Sequence, residues 1–382
     1  MPLFISIPFE TRAWSERERP VISLSLSLDT HLPLMNEPDL RALARAGKWA
    51  ALLETAPPAA ASALVDLGLT PSAAATAAAS AAAWRVLALI KLGRLKEASD
   101  TLARLGDLDA LPGDGAPWAL RVCKAWLAGS AAAFGPLVTL CEARAAAGND
   151  ASAPWVWSQR AQTAALSAAR LYAKAGDPAS ARAWARRALR GRVASGGGEH
   201  AALPPSTAPL DSDLPSITGL DAPALDAAAR LELALGNVPG ARHLFEAAAA
   251  VPPSTLPPRP PADAARAAAL MRLATGDASR AAAGFGAVGE SVDGCAVDYA
   301  DAAVCLLHAG DLGGAAAGAA RPFVGGVAAA VDPAALTPVA LRNAAALSDL
   351  APDGRAARAA LAAAVAAAGP PDDLDAGVLA GR

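Results

Sequence analysis

At 382 residues the chain is long enough for one large domain, two ordinary ones, or a repeat array with no single core. Its hydrophobic fraction of 54% comes largely from alanine, with aromatics at only 4%, which favours closely approached helices and argues against an extensive sheet. A net charge of −3 excludes a global attraction to nucleic acid or to an anionic membrane.

Residues 1–35 differ from the rest. Phe4-Ile5-Ser6-Ile7 and the run from Val21 to Leu28 alternate apolar and polar side chains, the period-two signature of a half-buried strand. They predict a short extended N-terminal arm, packed on the first helices or donated to a partner's sheet edge. No basic n-region followed by a leucine-rich stretch precedes them, so no secretory signal is expected. The most apolar-looking stretch, 72–83, is alanine and serine, too weakly hydrophobic to span a bilayer. Cys123, Cys141, Cys295 and Cys305 are scattered with no CxxC, which points to a reducing, intracellular setting with thiols acting as small buried residues.

Helical signals begin near Glu37, with a short helix over 39–47 that ends at glycine and a second over 48–55. The clearest unit is 84–109, WRVLALIKLGRLKEASDTLARLGDLD. An apolar helix ends at Leu92-Gly93, and an amphipathic one starts at Arg94-Leu95 with a small residue, Ala98, five positions after the glycine. The same spacing returns at Gly176 with Ala181, Gly236 with Ala241, Gly276 with Ala281 and Gly310 with Ala315. A large apolar residue follows at glycine plus nine in three copies: Leu102, Phe245 and Phe285. Glycine lets the chain leave a helix in a left-handed conformation, the alanine lets two backbones approach, and the large residue one turn later fills the gap between hairpins.

These are the turn-proximal positions of the tetratricopeptide (TPR) pattern. The successive glycine spacings are 83, 60, 40 and 34 residues, and the last equals the TPR period. A further degenerate turn is expected at Gly129, after a helix over 118–127. Two terminal helices over 337–350 and 354–368 close the series.

The predicted architecture is all-α: a right-handed TPR-like α-solenoid of helical hairpins. It is divided into the arm at 1–35, a first half at 36–192, a flexible Gly/Pro/Ser-rich loop at 193–222, a second half at 223–368, and a disordered tail at 369–382. Residues 251–261 hold six prolines and read as stiff and extended, and 111–117 as a short ordered break.

No catalytic constellation stands out. Residues 284–289 spell GxGxxG, but a dinucleotide site needs a strand before the glycines, and here they close a repeat's second helix. Cys305 and His308 lie three apart with no second ligand pair at zinc spacing, so they read as a buried thiol and a turn-adjacent histidine. No cofactor or metal is expected.

The sharpest charge feature runs from Arg160 to Arg192, eight basic residues against one acid, Asp177. Arg182, Arg186 and Arg190 recur at i, i+4 and i+8 and share a helix face, with Arg187 beside them. The pattern reads as a solvated face, or as a contact for an acidic partner or anionic phospholipid headgroups. It lacks the interleaved aromatics of single-stranded nucleic-acid binders. All eight tryptophans lie in the first half. Trp155 and Trp157 follow Pro154 and cannot both face inward on an extended segment, which makes one of them a candidate partner contact.

The order of several segments resembles the TPR region of the trafficking protein particle (TRAPP) complex subunit 12 family. The resemblance is carried by 87–93 (LALIKLG), 105–109 (LGDLD), 117–122 (PWALRV), 302–312 (AAVCLLHAGDL) and 341–347 (LRNAAAL), in that order over roughly 38–368. The chain departs from the family at 298–301, where asparagines are expected, and in the 193–222 insertion. The resemblance implies a non-catalytic scaffold subunit of a TRAPP III-type assembly. Such an assembly tethers vesicles and acts as a Rab exchange factor in ER–Golgi traffic and autophagy. The subunit would pack against the large arm subunits, cytoplasmic and peripheral to ER–Golgi and Golgi membranes. The alternative is a free TPR adaptor or co-chaperone that binds peptides in its concave groove. A carboxylate-clamp receptor of that kind places Lys, Arg and Asn on successive first helices, whereas here most first helices present alanine and leucine.

Overall fold

The computed structural model describes Leu40 and residues 43–44, 48–56, 73–106, 108, 117–147, 154–190, 208–210, 222–252, 261–291, 296–324, 338–350 and 354–368. The expected arm at 1–35, most of the 193–222 loop, the proline-rich 253–260 and the tail from 369 lie outside these residues. Among the described residues the structure is all helical, without a strand. None of these helices is long and apolar enough to cross a membrane.

Fifteen α-helices follow one another among the described residues. The first four are α1 (Trp49–Thr55), α2 (Ala73–Lys91), α3 (Leu95–Arg104) and α4 (Trp118–Leu127). A 3-10 turn (Ala131–Phe134) leads into α5 (Gly135–Ala147), α6 (Pro154–Lys174), α7 (Pro178–Arg190), α8 (Ala222–Ala234) and α9 (Val238–Ala250). The series ends with α10 (Pro261–Ala274), α11 (Ala278–Gly289), α12 (Ala296–His308), α13 (Leu312–Val324), α14 (Pro338–Leu350) and α15 (Gly354–Ala368).

The chain divides into two compact units. One contains Ala128–Pro258 and the other Ser27–Leu127 with Arg259–Arg382. Helices on both sides of the 193–222 connector therefore belong to the same unit. In the first unit α5 packs on α6, α6 on α7 and α8 on α9, and α6 also packs on α8. In the second, α1 packs on α2, α2 on α3 and α3 on α4, with α2 also meeting α4. Farther along the same unit, α10–α11, α11–α12, α12–α13 and α13–α14 are packed pairs, α12 meets α14, and α15 packs on α13 and α14. At α2–α4, α6–α8 and α12–α14 a helix touches both its own hairpin partner and the first helix of the following pair.

All five expected turns are present. Gly93, Gly176, Gly236, Gly276 and Gly310 have φ of 72°, 78°, 80°, 89° and 83°, a region that an L side chain occupies only at a steric cost. Each turn follows one recipe. The glycine N–H bonds back to a carbonyl three residues earlier, and the next residue's N–H to one five earlier, as from Gly176 to Ala173 and from Asp177 to Tyr172. Ala98, Ala181, Ala241, Ala281 and Ala315 are all fully buried. The position nine after the glycine is buried in every copy. Leu102, Phe245 and Phe285 fill it in three copies, and Ala185 and Ala319 in the other two.

Polar caps reinforce four of these turns. Asp177, Asn237, Asp277 and Asp311 accept from the N–H three residues on (Ser180, Gly240, Arg280 and Gly314) at 3.0, 3.1, 3.1 and 2.8 Å. Hydrogen bonds from Ser180 hold the Asp177 carboxyl below its ordinary pKa. The degenerate turn at Gly129 is also present, with φ 64°, between α4 and the Ser130-capped 3-10 turn.

The cores are small-residue cores with a few large anchors. Phe285 is buried among Ala269, Ala281, Ala282, Ala302 and Cys305. Leu341, Leu361, Val365 and Phe323 anchor the terminal helices around Ala303, Ala315, Ala319, Ala344 and Ala345. Cys123, Cys141 and Cys305 are buried free thiols. Burial pushes the Cys123 thiol up to about 12, and burial with nearby Asp301 pushes Cys305 up to about 11. Native protein at pH 8 is therefore expected to resist alkylation by iodoacetamide at these cysteines, with mass spectrometry showing their modification only after denaturation. Stoichiometric labelling of Cys123 in the folded state would contradict this placement.

Candidate interaction surface

The basic helix is α7, and the structure shows where its charges go. Arg182 donates from Nε and Nη2 to the two carboxylate oxygens of Glu232 on α8, at 3.0 and 2.9 Å. Glu232 is fully buried. Its oxygens also accept from the backbone N–H of Leu210 and from Nδ2 of Asn237, each at 2.9 Å. Arg186, itself buried, donates through Nη2 to the carbonyls of Ala208 and Pro209. Arg187 makes a bidentate pair with Glu142 on α5 at 2.9 and 2.6 Å and a 3.1 Å bond to the Thr139 hydroxyl. Its guanidinium also lies 5.2 Å from the Trp184 ring centroid.

The stripe expected at the surface is thus turned inward at Arg182, Arg186 and Arg187. Each of the three ties α7 to another part of its own unit. The physical reason is that a bare carboxylate buried on α8 would cost several kcal/mol, and a planar guanidinium fork is the side chain that can match both of its oxygens. The side chain of Arg190 lies outside the described residues.

The tryptophan pair differs from the extended segment read from the sequence. Pro154 opens α6, so Trp155 and Trp157 are helical. Trp157 is buried, with the Arg160 guanidinium over its ring at 4.5 Å, and so belongs to the interior of the unit. The side chain of Trp155 lies outside the described residues.

A different surface carries the exposed large apolar side chains. Val304 and Leu307 on α12 are 37% and 36% exposed, Leu312 at the start of α13 is 43%, and Leu350 at the end of α14 is 52%. Val304 and Leu307 are three apart and share a helix face. They sit inside the AAVCLLHAGDL segment, where the inward residues of the same helix are Ala302, Ala303 and Cys305. From Ala302 to Leu307 every position is apolar, so helical periodicity gives no contrast between the two faces.

A further ion pair, also unread from the sequence, joins the first helices α10 and α12. Arg266 on α10 binds buried Asp298 on α12 through Nε and Nη2 at 2.7 and 2.8 Å, and Asp263 at 2.9 Å.

No family model matches the chain, and no curated protein matches it.

The glycines at 284–289 lie within α11, preceded by helix. A Cβ at Gly284 would stand 3.2 Å from the Ala269 Cβ, so that glycine serves the close approach of α10 and α11. Among the described residues no three His, Cys, Asp or Glu side chains gather as a metal site would need.

Proposed function

We propose that this protein is a non-catalytic TPR-like scaffold, the subunit 12-like member of a TRAPP III-type tethering and Rab exchange-factor assembly. The observation that carries the reading is the repeated hairpin. Five glycine turns each place a fully buried alanine at the same register, and first helices pack on first helices at α2–α4, α6–α8 and α12–α14. Stacking of that kind is what a TPR-type array needs, because one hairpin alone cannot bury its apolar face. The ordered segments 87–93, 105–109, 117–122, 302–312 and 341–347 support the narrower family reading.

In this reading the exposed Val304, Leu307 and Leu312 face a large arm subunit, and the protein works in the cytoplasm at ER–Golgi membranes. An interface of this kind is anchored by a few apolar side chains within a polar rim. Affinity purification of the tagged chain, followed by mass spectrometry, tests the assignment. TRAPP subunits are the expected co-purifying proteins, and recovery of chaperones without any TRAPP subunit would sink it. Val304→Asp with Leu307→Asp should cut the recovered partner at least about tenfold, the effect of losing roughly 1.4 kcal/mol or more of binding, while circular dichroism is unchanged. Undiminished recovery would remove α12 from the interface.

A further inference from the structure

Within the Ala128–Pro258 unit, one short stretch of the α7–α8 connector is held as a bound peptide would be. Ala208, Pro209 and Leu210 cross the surface formed by α7 and α8. Three consecutive backbone groups are each met by a side chain. The carbonyls of Ala208 and Pro209 accept from Arg186, and the N–H of Leu210 donates to Glu232. Leu210 is fully buried, while Ala208 and Pro209 remain exposed. Proline suits the middle position, since it has no N–H to satisfy; Ala208 lies in a bend and Leu210 in a 3-10 turn. Main-chain bonds to side chains supply the grip and one buried apolar side chain supplies the anchor.

The residues that make this site are committed to it. Arg182 and Asn237 bind the same Glu232 carboxylate and fix its orientation, so the acceptor for the Leu210 amide is preorganised. The connector itself does not require the contact. It runs from 191 to 221, thirty-one residues between the end of α7 and the start of α8. Helix–helix connections in bundles need roughly two to eight. A chain that long can join the two helices without crossing this surface.

We propose that the surface between α7 and α8, formed by Arg186, Glu232 and the apolar seat of Leu210, is a peptide-binding site. The connector's own Ala208–Leu210 segment is its ligand in cis. The partner it fits is a peptide in which leucine follows proline and the chain bends at the residue before the proline. Tethering supplies a local concentration on the order of millimolar, so even a weak peptide contact is filled in the resting protein, and a partner must displace the segment to bind. This proposal is independent of the TRAPP reading and stands or falls on different measurements.

The test uses the full chain in two forms. In the wild type, the Leu210 amide is expected to exchange with solvent at least about tenfold more slowly than in an unstructured peptide. Exchange at the unstructured rate overturns the contact. In the second form, residues 206–212 are replaced by seven Gly and Ser residues, and a fluorescein-labelled peptide of residues 204–213 is titrated while anisotropy is followed. Saturable binding is expected, at least about tenfold tighter than to the wild type, and lost when Arg186→Met is added or when the peptide carries aspartate in place of its leucine. A replaced chain that stays helical but binds no peptide, or a wild type that binds equally well, overturns the proposal. Loss of helical signal in the replaced chain overturns it too, since a displaceable ligand leaves its site folded.

Discussion

Glu232→Ala is expected to destabilise the Ala128–Pro258 unit by about 3–5 kcal/mol, the usual cost of breaking a buried ion pair by removing one partner. Glu232 is fully buried and accepts four hydrogen bonds: two from Arg182, one from the Leu210 amide and one from Asn237. Alanine leaves all four donors without that acceptor and Arg182 with an uncompensated charge in a poorly hydrated place. Glu232→Gln should fall between the two proteins, because one oxygen still accepts while the amide N–H groups meet two donors. Denaturant unfolding followed by tryptophan fluorescence reads the change through Trp157 and Trp184, which lie in the same unit. Replacing both partners, Glu232→Leu with Arg182→Met, should recover much of the loss, since a well-packed apolar pair avoids the desolvation of both charges. A single-variant loss below about 1 kcal/mol would mean that the pair behaves like an exposed one, contrary to its burial.

Phe285→Ala is expected to cost about 3–5 kcal/mol in the other unit, the range for deleting a buried aromatic ring from a core that cannot collapse. The neighbours set this expectation. Its buried neighbours are mostly Ala269, Ala281, Ala282 and Ala302, which have no side-chain freedom with which to refill the space, while the partly buried Leu270, Leu273 and Leu306 pack at the edge of the cluster. The cavity term is therefore felt nearly in full. Phe285→Leu should lose much less, about 1.5 kcal/mol or below if repacking succeeds. Thermal unfolding by circular dichroism provides the measurement. A Phe285→Ala variant as stable as the wild type would show that the position nine after the turn glycine is not what holds adjacent hairpins together.

Much of the architecture was legible because its determinants are local. A left-handed turn needs a residue without Cβ, a close helix approach needs a small one, and both requirements are met within five positions of each other. For that reason 84–109, the turns at Gly129, Gly176, Gly236, Gly276 and Gly310, and the terminal helices Pro338–Leu350 and Gly354–Ala368 follow the residues closely. Where the reading relied on an extended segment after Pro154, it failed. Proline at the first position of a helix is as favourable as proline in a strand-like run, and nothing nearby separated the two.

The charges of α7 were the other failure, and the cause is general. Helical spacing shows that Arg182 and Arg186 share a face, but what that face meets is set elsewhere in the chain. Glu232 lies fifty residues on, and Ala208, Pro209 and Leu210 sit in a Pro- and Ser-rich stretch with the composition of a mobile loop. The hairpin grammar was thus contained in neighbouring residues, where backbone geometry alone enforces it. The inward use of three arginines, the seat of Leu210 and the outward face of Val304 and Leu307 arose only when distant helices were brought together, because burial is a property of the packed chain and not of any one stretch of it.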